Sequence, residues 1–158
     1  VSARPANVHG TAIVLGTTGF LVTGPSGSGK SALALACISQ VRRRGRFAAL
    51  VADDRVDLSL ENGRIIARCP PSIRGLIEVR GGGIAAVETI PACVLDWAIM
   101  PVRAPFDPRL PPEQEELLLE IGRNLPLLRV PTEGLLSPVD ALAVLLPGKP
   151  GVWPHSQA

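Results

Sequence analysis

Tyrosine is absent from the 158 residues, and three phenylalanines with two tryptophans bring the aromatic share to only 3%. A core made from this chain must therefore interlock Leu, Val, Ile and Ala rather than fill with a few large rings. Aromatic residues interleaved with basic ones, the platform on which single-stranded nucleic acid stacks, are missing as well. So is an excess of one charge. Sixteen basic against 14 acidic residues leave a net charge of +2, too balanced to argue for nucleic-acid binding on electrostatic grounds. No apolar run reaches the roughly 18 residues that a membrane-spanning helix needs. Val1 to Gly10 contains no charged stretch followed by an apolar one, so no secretory leader is read there. Cys37, Cys69 and Cys93 form neither a Cys-x-x-Cys pair nor a Cys/His spacing suited to zinc. The expectation is a cytoplasmic protein with buried, reduced thiols.

What is present is a globular composition. Apolar residues make up 46% of the chain, enough for one domain with a hydrophobic core. That domain is expected over residues 1–148, with 149–158 as a flexible tail. Thr11–Leu15 and Phe20–Thr23 read as a hairpin, and Phe47–Ala52 as a short buried strand. Between them, Ala32–Val41 is rich in Ala and Leu and predicts a helix buried around nearly its whole circumference. Arg42, Arg43 and Arg44 suit the negative pole of that helix, with Gly45 as its left-handed stop. Asn62-Gly63 between Val56–Leu60 and Arg64–Ala67 predicts a second hairpin closed by a type I′ turn. Val94–Val102 reads as one further strand. Pro111-Pro112 followed by Glu113, Glu115 and Glu116 reads as a helix start, running to Gly122. Ser137-Pro138 reads as the N-cap and first residue of a short helix through Leu146. The fold class is α/β with a mixed sheet.

The sharpest signal is Gly24-Pro25-Ser26-Gly27-Ser28-Gly29-Lys30-Ser31, a GxxxxGK[ST] phosphate-binding loop (P-loop). Its glycines let backbone N–H groups converge on phosphate oxygens at the positive end of the following helix. Lys30 then reaches the β- and γ-phosphates of ATP, and the Ser31 hydroxyl is placed for Mg²⁺. An apolar strand before the loop and an Ala/Leu helix after it give the context this chemistry demands. The second signal is Asp53-Asp54 at the end of a buried strand. Adjacent acids leaving a strand point to opposite sides, so one can serve Mg²⁺ while the other faces a nucleophile. Read alone, the pair is weak evidence, because a polar strand end that starts a turn has the same pattern.

Four stretches then occur in a recognisable order: Val8-His9-Gly10, Gly24 to Ser31, Val51-Ala52-Asp53-Asp54, and Ile77-Glu78-Val79-Arg80-Gly81-Gly82-Gly83-Ile84. Together they resemble the HPr kinase/phosphorylase family from about His9 to Arg109. The resemblance implies a kinase that phosphorylates a serine of HPr, the phosphocarrier of the sugar phosphotransferase system, and in many members also removes it by phosphorolysis. It implies Asp54 as the group that takes the serine proton, with Lys30, His9 and Arg109 as further active-site residues. Ser31 and Glu78 match the family's Mg²⁺ ligands. Without the resemblance Glu78 is a solvated strand carboxylate and His9 an ordinary packed or exposed histidine; Arg80 either holds phosphate or pairs with Glu78. His155 falls in the expected tail and receives no role. The family also implies a sheet related to phosphoenolpyruvate carboxykinase and a hexamer.

Two departures bear on function. Family members carry a separate N-terminal domain, whereas this sequence opens almost at the His-Gly motif, which reads as a short form. The family's basic Val-Pro-Val-Arg-Pro-Gly-Arg-Asn segment, associated with dephosphorylation, stands here as Val130-Pro131-Thr132-Glu133-Gly134-Leu135-Leu136-Ser137. Two arginines are gone, and phosphorylase activity is expected to be weak or lost. The partner expected is HPr or a paralogue, with no nucleic acid and no membrane. A small-molecule kinase and a non-catalytic nucleotide-sensing switch are the competing readings, because such a loop does not specify the acceptor.

Overall fold

The computed structural model describes residues 5–146, so the expected tail and His155 lie outside the described residues. In chain order the elements are β1 (Ala6–His9), β2 (Thr11–Leu15), β3 (Thr18–Val22), α1 (Lys30–Arg43), β4 (Ala48–Ala52), β5 (Arg55–Glu61) and β6 (Arg64–Arg68). A 3₁₀ turn over Pro71–Ile73 precedes β7 (Leu76–Val79) and β8 (Gly83–Ala86). These are followed by β9 (Ala92–Leu95), β10 (Trp97–Val102), β11 (Glu116–Leu117), β12 (Leu125–Pro131) and α2 (Pro138–Leu145).

Three layers result. The middle one is a mixed six-stranded sheet in the order β11-β12-β10-β3-β2-β4, with β3, β10 and β12 parallel and β2 antiparallel to both its neighbours. One face of it packs on the helices through Ile13, Leu15, Phe20, Val22, Leu33, Cys37, Val41 and Leu142. The other packs on the antiparallel sheet β1-β5-β6-β9 through Ala12, Val14, Leu21, Val56, Leu58 and Ile65. Strands covered on both faces read as unbroken apolar runs. Every residue of β2, β3 and β4 is buried, which accounts for the clarity of those runs in the sequence.

Both expected hairpins form. β2 and β3 pair antiparallel, and β5 and β6 pair across Asn62 (φ 52°) and Gly63 (φ 76°), the two left-handed positions of a type I′ turn. The arginines at the end of α1 behave as a helix terminus. Arg42 donates to the Ala48 carbonyl and pairs with Glu88, Arg44 pairs with Asp140, and Gly45 takes a φ of 73°. Ser137 caps α2 by accepting from the Asp140 amide at 3.1 Å.

Three expectations are corrected. Helix α1 is buried on one stripe, Leu33, Ala34, Cys37, Ile38 and Val41, while Ala32 and the terminal arginines face solvent, because only one of its sides meets the sheet. Val94–Val102 is two strands. Asp96 interrupts it, and β9 stays in the four-stranded sheet while β10 crosses to the six-stranded one. Residues 111–122 form no helix. Gln114 adopts a φ of 54°, Glu115 chelates Arg129, and Leu117 pairs with Leu125, so tertiary partners override the local helix signal.

Candidate active site

Strands β3 and β4 run in the same direction, since each is antiparallel to β2 between them. Their carboxyl ends therefore open at one edge of the sheet, where α/β folds gather functional groups. From β3 emerges the glycine-rich loop and from β4 the Asp53-Asp54 pair. The loop needs its glycines: Gly24 and Gly29 hold φ values of 141° and 95°, conformations other residues avoid. The Lys30 side chain is buried beneath the loop, and its ammonium donates to the carbonyls of Gly24 at 3.1 Å and Pro25 at 3.0 Å.

The two aspartates diverge. Asp53 is buried, and its Oδ1 accepts hydrogen bonds from the hydroxyls of Thr11 at 2.8 Å and Ser31 at 2.7 Å, while its Oδ2 accepts from the Glu78 amide at 3.3 Å. Asp54 takes a φ of 70° and turns outward, with its side chain 70% exposed and Oδ1 3.2 Å from His9 Nδ1. The pairing of β1 with β5, which sets His9 opposite Arg55, brings the histidine to that carboxylate. A cleft of about 470 Å³ joins these groups, its walls formed by His9, Thr11, Ser26, Lys30, Asp54 and Glu78 among others. A larger depression of about 690 Å³ lies at the opposite end of β3, against Thr17, Asn62 and Arg123, and includes none of the loop.

Lys30 and the guanidinium of Arg80, which donates to the Gly27 carbonyl at 3.4 Å, bring positive charge to the loop. Of the residues expected at the site, His9, Lys30, Ser31, Asp53, Asp54 and Glu78 converge. Arg109 does not line this cleft. It lies on the wall of an apolar groove with Phe106, Leu136, Val144 and Leu145.

Among the described residues no group of three or more His, Cys, Asp or Glu side chains is close enough to cage a metal by itself. The donor set nevertheless fits Mg²⁺, a hard cation that takes oxygen ligands and retains waters and substrate phosphates in its sphere. The Ser31 hydroxyl and the Asp53 carboxylate are one hydrogen bond apart, and Asp53 in turn holds the backbone of Glu78.

Two residues at this edge carried no sequence signal of their own. Thr11 reaches Asp53 across 42 residues of chain, which nothing in the local pattern announces. Arg103 follows the end of β10, and only the parallel pairing of β10 with β3 puts it beside the loop; a Cβ placed on Gly29 would lie 3.6 Å from its Nη2.

Comparison with known proteins gives the family. Residues 2–91 match the family described as HPr Serine kinase C-terminal domain. The chain is similar to the HPr kinase/phosphorylase of Bordetella petrii (strain ATCC BAA-461 / DSM 12804 / CCUG 43448), at 44% identity over 89 residues, 56% of this chain and 27% of that protein. It is similar also to the HPr kinase/phosphorylase of Clostridium beijerinckii (strain ATCC 51743 / NCIMB 8052), at 40% identity over 88 residues, 56% of this chain and 27% of that one. The match thus spans about a quarter of the length of these curated relatives. Among solved structures, the Hpr(Ser) kinase/phosphatase from Coxiella burnetii superposes with a TM-score of 0.65 and 32% identity, over 80% of this chain and 85% of that one.

Proposed function

The chain belongs to the HPr Serine kinase C-terminal domain family, and from that premise we propose that it is an ATP- and Mg²⁺-dependent kinase that phosphorylates a serine of HPr or an HPr-like phosphocarrier. The loop Gly24–Ser31 serves as a P-loop on a sheet of phosphoenolpyruvate carboxykinase type. Its backbone N–H groups and the Lys30 ammonium hold the triphosphate at the amino end of α1. Ser31, Asp53 and Glu78 would hold Mg²⁺, which neutralises phosphate charge when bound.

In the transfer step the serine hydroxyl oxygen forms a bond to the γ-phosphorus, the bond to the β–γ bridging oxygen breaks, and ADP leaves. The serine proton passes to Asp54, which His9 orients. Phosphoryl transfer asks the protein mainly for positioning and charge stabilisation, and a cleft with a buried ammonium and an outward acid supplies both. Arg109 joins this reading by resemblance, as a charge at the groove beside the acceptor.

The single observation that carries the proposal is the division between adjacent carboxylates. Asp53 is tied down by three donors, and Asp54 is presented to solvent at the cleft mouth. A base exposed in this way suits a protein-borne hydroxyl. Purified chain incubated with labelled ATP, Mg²⁺ and HPr should place label on serine, and Asp54→Asn should abolish labelling while binding ATP as before. ATP bound without transfer to HPr, with label entering a small acceptor instead, would redirect the reading to a small-molecule kinase. Partner control that survives Asp54→Asn without any transfer in the parent protein would make it a nucleotide switch. By family resemblance the assembly is a hexamer in the cytoplasm, which light scattering on the purified protein tests for oligomer size.

A further inference from the structure

We infer that Arg103 is a phosphate-binding residue of this site, contributed from the end of β10. The inference rests on the P-loop reading above. Strand β10 is the parallel neighbour of β3, with Ile99 opposite Val22. Both strands therefore deliver their next residues to the same sheet edge, β3 into the glycine-rich loop and β10 into Arg103. The guanidinium lies over the last glycine of that loop, 3.6 Å from where a Cβ on Gly29 would stand. Gly29 is the N-cap of α1, so this is the end of the loop at which the first α1 amides gather.

The chemistry of Arg103 is also unspent. The other arginine at the loop, Arg80, donates to the Gly27 carbonyl, and Arg129, on the wall of the apolar groove that Arg103 also lines, is held by both oxygens of Glu115. Arg103 is exposed and has no hydrogen-bond or ion-pair partner among the described residues. A free, planar fork of donors over a phosphate loop suits bidentate binding of phosphoryl oxygens. The residue lines the apolar groove and reaches the last glycine of the phosphate loop, which in the P-loop reading assigns it to the triphosphate end of the nucleotide rather than the base.

Calorimetry with the whole chain tests this, using Mg–ATP and, separately, inorganic tripolyphosphate. Arg103→Ala should weaken both by roughly 10- to 100-fold, the range for a charge-assisted hydrogen bond, with an unchanged thermal midpoint. Arg103→Lys should recover part of the loss and make it more sensitive to salt. Wild-type affinity for both ligands in Arg103→Ala, with the parent protein binding normally, overturns the inference and leaves the kinase reading standing. A parent protein that binds neither ligand overturns both.

Discussion

The Thr11 hydroxyl donates to Asp53 at 2.8 Å, and the bond joins the start of β2 to the end of β4 in a fully buried contact. The oxygen it reaches is also the one that accepts from Ser31. Thr11 thus fixes the rotamer of the carboxylate proposed to hold Mg²⁺, in the manner of a partner that orients a metal ligand from behind.

Thr11→Val keeps the shape and removes the donor. The magnesium concentration needed for half-maximal ATP binding should rise roughly tenfold, while nucleotide binding at saturating magnesium stays near that of the parent. The cost to stability should be about 1–2 kcal/mol, for one hydrogen bond withdrawn from a buried carboxylate. A magnesium titration of Thr11→Val that overlays the parent curve would remove Thr11 from the site.

The reverse reaction should be weak. Phosphorolysis requires inorganic phosphate to attack the phosphoserine phosphorus, expelling the serine oxygen and forming pyrophosphate, and the attacking anion needs its own cationic cradle. Here Glu133 and Leu136 stand where the family resemblance leads one to expect the two arginines, and Glu133 adds repulsion. Losing two charge-assisted contacts should slow pyrophosphate release relative to forward transfer by on the order of a hundredfold or more. Coupled pyrophosphate assay of the seryl-phosphorylated partner in added phosphate measures it directly; equal forward and reverse rates would refute the expectation.

How far the sequence foretold this structure depends on whether the partners are near in sequence. The glycine-rich loop, the Asn62-Gly63 turn and the Ser137 cap are decided within a few residues, and all three stand where the pattern put them. Asp53 and Asp54 diverge as expected, but through a turn rather than strand alternation, since both lie past β4 and Asp54 holds a φ of 70°; what each one meets was not legible. Thr11 and Arg103 arrive through strand pairing, and the loss of the helix expected at 111–122 comes from Arg129 and Leu125, residues that follow it in the chain. Period and propensity cannot see such partners.

Gly19 shows the same lesson in a testable form. Its N–H donates to the Asp96 carboxylate at 3.0 Å and its carbonyl accepts from the Asp96 amide at 2.9 Å, at the point where the chain leaves β9 for β10. A Cβ on Gly19 would lie 1.9 Å from the Val94 carbonyl oxygen, a clash with backbone that no rotamer relieves. Gly19→Ala should therefore lower stability by on the order of 3 kcal/mol, read as a shift in the urea midpoint at constant slope. A shift under about 1 kcal/mol would mean that the two sheets are not in this contact.

The thiols should be silent in the folded protein. Burial pushes Cys37 up to about 12, and burial, with Asp96 adding to it, pushes Cys93 up to about 12. Cys69 is raised by burial as well. The thiolate is the reactive form, so at pH 8 only about one molecule in ten thousand presents it at Cys37 or Cys93. A disulfide reagent should find no fast-reacting thiol at these two positions in the native protein and all three cysteines after unfolding. Rapid native labelling of Cys37 would place it outside the core.

Helix α2 is held to the end of α1 by Arg44 and Asp140, 2.7 Å apart, and Asp140 also accepts from the Ser137 hydroxyl at 2.8 Å. The Arg44 guanidinium first, and the Ser137 hydroxyl after it, hold the Asp140 carboxyl below its ordinary range. A carboxyl depressed by folding contributes stability that is present above its unfolded value and is lost as the pH falls through its folded value. Asp140→Asn should therefore lower the thermal midpoint at neutral pH, and the difference from the parent should close as the pH drops past the usual carboxylate range. Salt should shrink the neutral-pH difference, because both side chains are partly exposed. Ser137→Ala separates the cap from the charge: it should cost about 1 kcal/mol, and a good part of that cost should survive in acid, where the hydroxyl still caps the Asp140 amide. A gap between Asp140→Asn and the parent that stays constant from neutral pH into strong acid would show that the carboxylate charge has no part in docking α2.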